Sequence, residues 1–264
     1  MNDLRFLIKF GERVYMERFA AGYLYFSHAV KFREFENTLK IKGQGDRLEG
    51  ASRLFAQKLT MQSHENPQDV WTINMADILT TYGPANKVPV FCLFSCLEKD
   101  CVKISEKEYR ISLDDEIKND ITTHFEKADT AVIIENPDAF IDDIRNTFAS
   151  GYKADAVNYF HVEGFPLDNG GRSMDMEYFK YLAQDTPPTK IKGGTKYSFG
   201  ADFAYRALFC KDIFFSKEQE YRVLLPKQQI SEPKEYFVDY TSSKSHIVSL
   251  DDLFSGSIVV SIAD

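Results

Sequence analysis

A chain of 264 residues with 44% apolar and 27% charged side chains has material for one large domain or two small ones, and enough hydrocarbon for a substantial core. The formal net charge of -8 argues against broad, non-specific binding to nucleic acid or to an anionic membrane surface. No segment approaches the ~18 consecutive apolar residues of a membrane span.

The first ten residues, MNDLRFLIKF, lack the basic region, long apolar core and small-residue cleavage site of a secretory leader. Within them, 5–10 reads as a short strand. Residues 12–20 then carry helical spacing (Val14, Met16, Phe19, Ala20) that stops at Gly22, and 23–27 is a second strand. Residues 30–36 are short and mixed, and 42–50 is a loop with three glycines. Strands follow near 53–61, 70–75 and 89–97, the last apolar enough to be central in a sheet.

Residues 112–126 form a plausible helix with Ser112 as its cap, 131–135 a clean strand, and Asn136 with Pro137 starts a helix through Phe148. Residues 152–162 alternate as a strand. The Pro, Gly, Asp and Thr content from Gly164 onward marks a loop-rich insertion around 164–198. A helix over 201–209 precedes strands at 235–240 and 258–262. The chain shows no internal repeat and no long linker. Its expected architecture is a single α+β domain over 1–264, with a mixed, mainly antiparallel sheet and flanking helices.

Cys92, Cys96, Cys101 and Cys210 contain no CxxC pair and have no nearby histidine partner, so they read as buried free thiols, which fits a reducing cytoplasm. His28, His64, His124, His161 and His246 are scattered without metal-ligand spacing. The GGTK run at 193–196 lacks the upstream glycine and preceding strand of a phosphate-binding loop, and neither GxGxxG nor GxSxG occurs.

The most informative stretch is 211–226, KDIFFSKEQEYRVLLP. Read as a strand, it places Glu218, Glu220 and Arg222 on one face and Tyr221, Val223 and Leu225 on the other. Two carboxylates on one face repel unless water or a cation relieves them, so this face is either a solvated rim or a site. Three further clusters occupy exposable positions: Lys9 on the first strand, Tyr23, Tyr25 and Ser27 along one face of the second, and Asp46, Arg47 and Glu49 in the turn between Gly45 and Gly50. Each has a bland reading, respectively a strand-end lysine, an aromatic face packed on a helix, and a solvated turn.

The opening strand-helix-strand, the GDRLEG turn at 45–50 and the late FSKEQEYR strand together resemble a broad group of bacterial proteins linked with abortive infection and phage defence. They are also similar to divergent members of the ADP-ribosyltransferase superfamily. That resemblance implies NAD as substrate, with Glu220 as the catalytic glutamate and Glu218 as its partner in a Glu-x-Glu arrangement. It gathers Lys9, Tyr25, Ser27, Asp46, Arg47, Glu49 and Arg222 around the cofactor, with Lys9 in the place of the family's Arg or His. It further implies a macromolecular acceptor, protein or nucleic acid, and an antitoxin or phage protein as partner, with no membrane association. Two other readings stay open. One is an inactive sensor or interaction component of a defence or toxin system, which the Lys9 departure favours. The other is a metal-dependent nuclease using Asp46, Glu49, Glu218 and Glu220.

Overall fold

The computed structural model describes residues 3–39, 48–63, 65–166, 172–173, 175–192, 194–196, 198 and 200–262. Six strands lie side by side in the order Ser245–Ser249, Thr130–Ile134, Leu4–Gly11, Val90–Leu97, Glu220–Leu224 and Lys153–Ala156, and every neighbouring pair is antiparallel. The fold is α+β, with antiparallel sheets and flanking helices.

The period of two along each strand feeds two cores. On one face Leu7, Phe91, Val132 and Val223 pack against Met16 and Phe19 of the helix Arg13–Ala20 and against Phe140 and Ile144 of the helix Pro137–Phe148. On the other, Phe6, Ile8, Phe94 and Ile133 meet Ile117 and Ile121 of the helix Asp115–His124 and Leu250 and Leu253 of the helix Leu250–Phe254. A small sheet of Val259–Ser261, Glu108–Ile111 and Cys101–Lys103 closes that second face. Each such buried side chain is worth roughly 1.5–3 kcal/mol, so the central strands, buried on both faces, carry much of the stability.

Local chemistry sets the element ends. Asn136 accepts the amide of Ala139 at 3.1 Å, and Pro137 fills the first helical position, where a missing N–H costs nothing. The helix expected over 112–126 starts at Asp115 instead, because Asp114 rather than Ser112 accepts the Ile117 amide at 2.8 Å. Gly22 follows the first helix with φ +92°, and a Cβ there would stand 2.2 Å from the Val238 carbonyl oxygen, so only glycine lets the Tyr23–Phe26 strand pair with Lys234–Phe237.

Other elements depart from the sequence reading. Residues expected to be short and mixed form the helix Ala29–Leu39. The 164–198 region contains the helix Met176–Ala183, whose cap Asp175 accepts the Glu177 amide at 3.0 Å. The expected 152–162 strand breaks at Val157 into Lys153–Ala156, in the main sheet, and Asn158–Phe160, which runs parallel to Cys210–Asp212. Ala51–Gln62 and Val70–Thr81 form a separate two-stranded ribbon. Among the described residues no helix is long and apolar enough to cross a membrane.

Candidate functional site

The strand expected over 211–226 is interrupted: Lys211 and Asp212 end the short strand Cys210–Asp212, and the main-sheet strand begins at Glu220. Residues Ile213–Glu218 form a 3-10 helix, capped by Asp212 accepting the Phe214 amide at 3.0 Å, and Gln219 turns the chain into the sheet with a left-handed backbone at φ +38°. Glu218 therefore sits at a helix end rather than on the strand. The whole of Glu220–Leu224 is buried, so the charged face is not a solvated rim.

A cavity of about 570 Å³ opens beside this strand, and Lys9, Tyr25, Ser27, Glu49, Glu218, Glu220 and Arg222 all line it among apolar side chains. These residues come from segments far apart in the chain, from Lys9 on the first strand to Arg222 near the other end. Tyr25 alternates outward from the strand Tyr23–Phe26 and is 59% exposed, while Leu24 and Phe26 are buried in the core beneath. Ser27 is tied beside the central strand by reciprocal backbone bonds with Val90, at 2.9 and 2.8 Å. Phe32 and Phe35 of the helix Ala29–Leu39 supply part of an aromatic rim. Asp46 and Arg47 lie outside the described residues.

Arg222 is the structural centre of the site. Only 1% exposed, it clamps Glu49 through both terminal nitrogens, at 2.5 and 2.9 Å, and donates to Glu220 at 2.8 Å and to the Leu208 carbonyl. Glu49, whose bland reading from sequence is a solvated turn, is instead buried at 1% exposure, held there by this fork-to-carboxylate pairing. Lys9 donates from its ammonium to the Cys92 carbonyl at 2.7 Å and lies 5.1 Å from the centre of the Phe91 ring.

Three contributors were not singled out in the sequence. Lys211 bonds Glu218 and reaches Glu220 at 3.5 Å, bridging the two carboxylates. Tyr159 accepts the Glu220 amide on its hydroxyl at 2.8 Å and is the in-register neighbour of Lys211 across the short parallel pair. Gln219, between the carboxylates, donates to the Ser95 carbonyl at 3.1 Å and to Asp100 at 2.8 Å. Lys211 opens the same charged stretch and carried a weak signal. Tyr159 could not be found from sequence, because only the parallel register brings it to the site.

The cations drive the two carboxylates apart in proton affinity. Burial disfavours charge on Glu218, and with the neighbouring charge of Glu220 it outweighs Lys211, pushing Glu218 up to about 7. Burial also opposes ionisation of Glu220, but Arg222 and Lys211 overcome it and hold Glu220 near about 2. Burial pushes the Cys92 thiol up, and Glu220 adds to that shift. Burial lowers Lys9 despite the pull of Cys92 and Glu220. At neutral pH the site thus holds one permanently ionised carboxylate beside one poised to gain or lose a proton.

Glu49, Glu218 and Glu220 each face a lysine or arginine. Among the described residues no three His, Cys, Asp or Glu side chains come together as a metal-ligand set. No protein-family model matches this chain, and neither a curated protein nor a solved structure matches it.

Proposed function

We propose that this chain is an ADP-ribosyltransferase-like enzyme that takes NAD as its substrate and transfers ADP-ribose to a macromolecule, acting as a toxin or anti-phage effector. The observation that carries the reading is the pair Glu218 and Glu220, in one nucleotide-sized cavity, with proton affinities driven in opposite directions. Breaking the nicotinamide glycosidic bond leaves positive charge on the ribose. An ionised carboxylate held rigidly beside that charge stabilises it without reorganising. Glu220 suits this role, since Arg222, Lys211 and Tyr159 fix its position.

Glu218, poised near neutrality beside Lys211, accepts the proton of the acceptor nucleophile and becomes the neutral acid. Tyr25, exposed on the rim with Ser27 beside it, offers a ring for a base to stack on. Arg222 and Glu49 are committed to each other and serve Glu220 by positioning it, rather than by touching the diphosphate. The resemblance noted in the sequence adds the expectation that the partner is an antitoxin or a phage protein.

The test is NAD consumption and label transfer from NAD to cell extract by the purified chain. Glu220→Gln is expected to lower turnover by roughly 10²–10³-fold, as for loss of one preorganised electrostatic partner, with melting temperature as the control for folding. Turnover that survives Glu220→Ala overturns the reading. The non-enzymatic alternative is favoured by the mutual pairing of buried Glu49, Arg222 and Glu220, which resembles a purely structural ion cluster. Stable capture of a phage or host protein without NAD turnover selects it.

A further inference from the structure

The strand Val90–Leu97 leaves the sheet at Leu97, and one 3-10 turn, Glu98–Asp100, returns the chain into the strand Cys101–Lys103. The turn brings the sulfurs of Cys96 and Cys101 to 3.6 Å. Cys96 is fully buried against the second core, whereas Cys101 is half-buried and reachable from solvent. Arg5, which pairs with Glu98 at 2.8 Å, places positive charge near Cys101, where the Asp100 and Glu98 carboxylates place negative charge. The other two thiols are engaged elsewhere: Cys210 donates to the Arg206 carbonyl at 3.4 Å, and Cys92 bonds Glu220.

The same turn holds the residue between the two site carboxylates. Asp100, 3% exposed, accepts the Leu97 amide at 2.9 Å and the Gln219 side-chain amide at 2.8 Å through one oxygen. Ser95 donates its amide to the Gln219 carbonyl at 2.7 Å. Ser95 and Asp100, the two anchors of Gln219, are thus the immediate chain neighbours of Cys96 and Cys101.

We propose that Cys96 and Cys101 are a thiol–disulfide exchange site that reacts with a small disulfide oxidant such as glutathione disulfide and closes a bond behind the Glu218 and Glu220 pair. The Cys101 thiolate attacks one sulfur of the oxidant and expels one small thiolate, leaving a mixed disulfide on Cys101. Cys96 gives its proton to the departing thiolate or to solvent and attacks the Cys101 sulfur, releasing the second small thiol. Two protein thiols lose two electrons and two protons, and one small disulfide becomes two thiols. Cys101 attacks first because it is the exposed partner: the hydrogen-bond contact with Cys96 and the nearby Arg5 favour its thiolate, against the opposing pull of partial burial and of the Asp100 and Glu98 carboxylates. Contracting 3.6 Å to the ~2.05 Å of a disulfide draws the turn inward and shifts Asp100, hence Gln219. This last step, unlike the exchange itself, rests on the reading of the carboxylate pair as the reactive site.

The experiment equilibrates the reduced full chain with glutathione and glutathione disulfide, traps free thiols by alkylation, and reads intact mass and a peptide map. Two of the four thiols are expected to disappear together, with a link between 96 and 101. Cys96→Ser is expected to stop at a glutathione adduct on Cys101, Cys101→Ser to leave Cys96 unreacted, and Cys92→Ser to form the link as the parent does. Four free thiols at every ratio in folded protein, or a link between any other pair, overturns the proposal. NAD turnover, measured in both forms, is expected to change at least ~5-fold on oxidation and to return with a dithiol reductant, as a positioning shift of this kind requires. Disulfide formation with no NAD turnover in either form leaves the exchange site standing and rejects the NAD reading. Turnover identical in both forms rejects the coupling.

Discussion

At the scale of single residues, Lys211 decides how one proton is shared. Its ammonium bonds Glu218 and stands 3.5 Å from Glu220, so whichever carboxylate is ionised has a cation in reach. Glu218 holds its proton up to about 7, against 4.5 for an unperturbed glutamate, so between those values the native state binds more protons than the unfolded chain. Its contribution to stability is therefore full below about 4.5 and is lost as pH rises through about 7. Glu220, held near about 2, contributes in the opposite sense: fully above 4.5, and progressively less as pH falls toward 2. Glu218→Gln should remove the first dependence alone. The stability of the parent relative to the variant should fall by on the order of 2 kcal/mol between pH ~4.5 and ~7.5, read from urea midpoints at the two ends. A constant difference across that window would show that Glu218 titrates normally. The same substitution should abolish a rise in turnover centred near pH 7, since the base is lost while Glu220 stays ionised.

At the scale of the element, the junction between the 3-10 helix Ile213–Glu218 and the strand Glu220–Leu224 depends on one left-handed residue that is not glycine. Gln219 tolerates φ +38° because its side-chain amide meets both the Ser95 carbonyl and the Asp100 carboxylate. Gln219→Ala should destabilise by roughly 1.5–3 kcal/mol, through the lost bond to the charged Asp100, which keeps only the Leu97 amide. Gln219→Gly loses the same bonds but carries no left-handed strain, and should be about 1 kcal/mol more stable than the alanine variant. Equal urea midpoints for the two would mean the backbone does not need that conformation. This junction also marks how far sequence reading reaches. Alternation put Glu220 and Arg222 on one face, which holds within the strand, and it aligned Tyr25 with Ser27 correctly. It carried the strand too far back, because Ile213, Phe214 and Phe215 are as apolar as a strand and Gln219 gives no turn signal. The helix Met176–Ala183 was hidden by its Gly-rich and Pro-rich surroundings. The Glu49 and Arg222 clamp spans 173 positions, a separation at which local patterns carry no pairing information.

At the scale of the whole molecule, stability and site share the six-stranded sheet, while the ribbon Ala51–Gln62 and Val70–Thr81 stands apart from it. Its base is tied in: Tyr178 donates to the Ala51 carbonyl at 2.7 Å, Arg53 pairs with Asp77 at 2.7 Å, and Tyr82 donates its amide to the Gly50 carbonyl at 3.2 Å. The pairing then skips Gln57 and Met75, where Met75 turns to φ +56°, and resumes at Lys58 with Asn74. Met75 at that break, and Trp71 and Ile73 beyond it, are 73%, 53% and 43% exposed. A lone two-stranded ribbon in water is marginal, so the outer half should open locally at a free energy well below that of the sheet. Amides of 58–74 should then exchange with solvent far faster than those of the strands Leu4–Gly11 and Val90–Leu97. Joining Ala56 to Ala76 through an Asn-Gly turn should keep the paired base and leave the melting temperature within about 2–4 °C of the parent, because among the described residues no buried core side chain is removed. If the shortened chain instead melts far lower or loses cooperativity, the outer ribbon belongs to the folding unit. The cavity and its carboxylates would then depend on an element that touches neither.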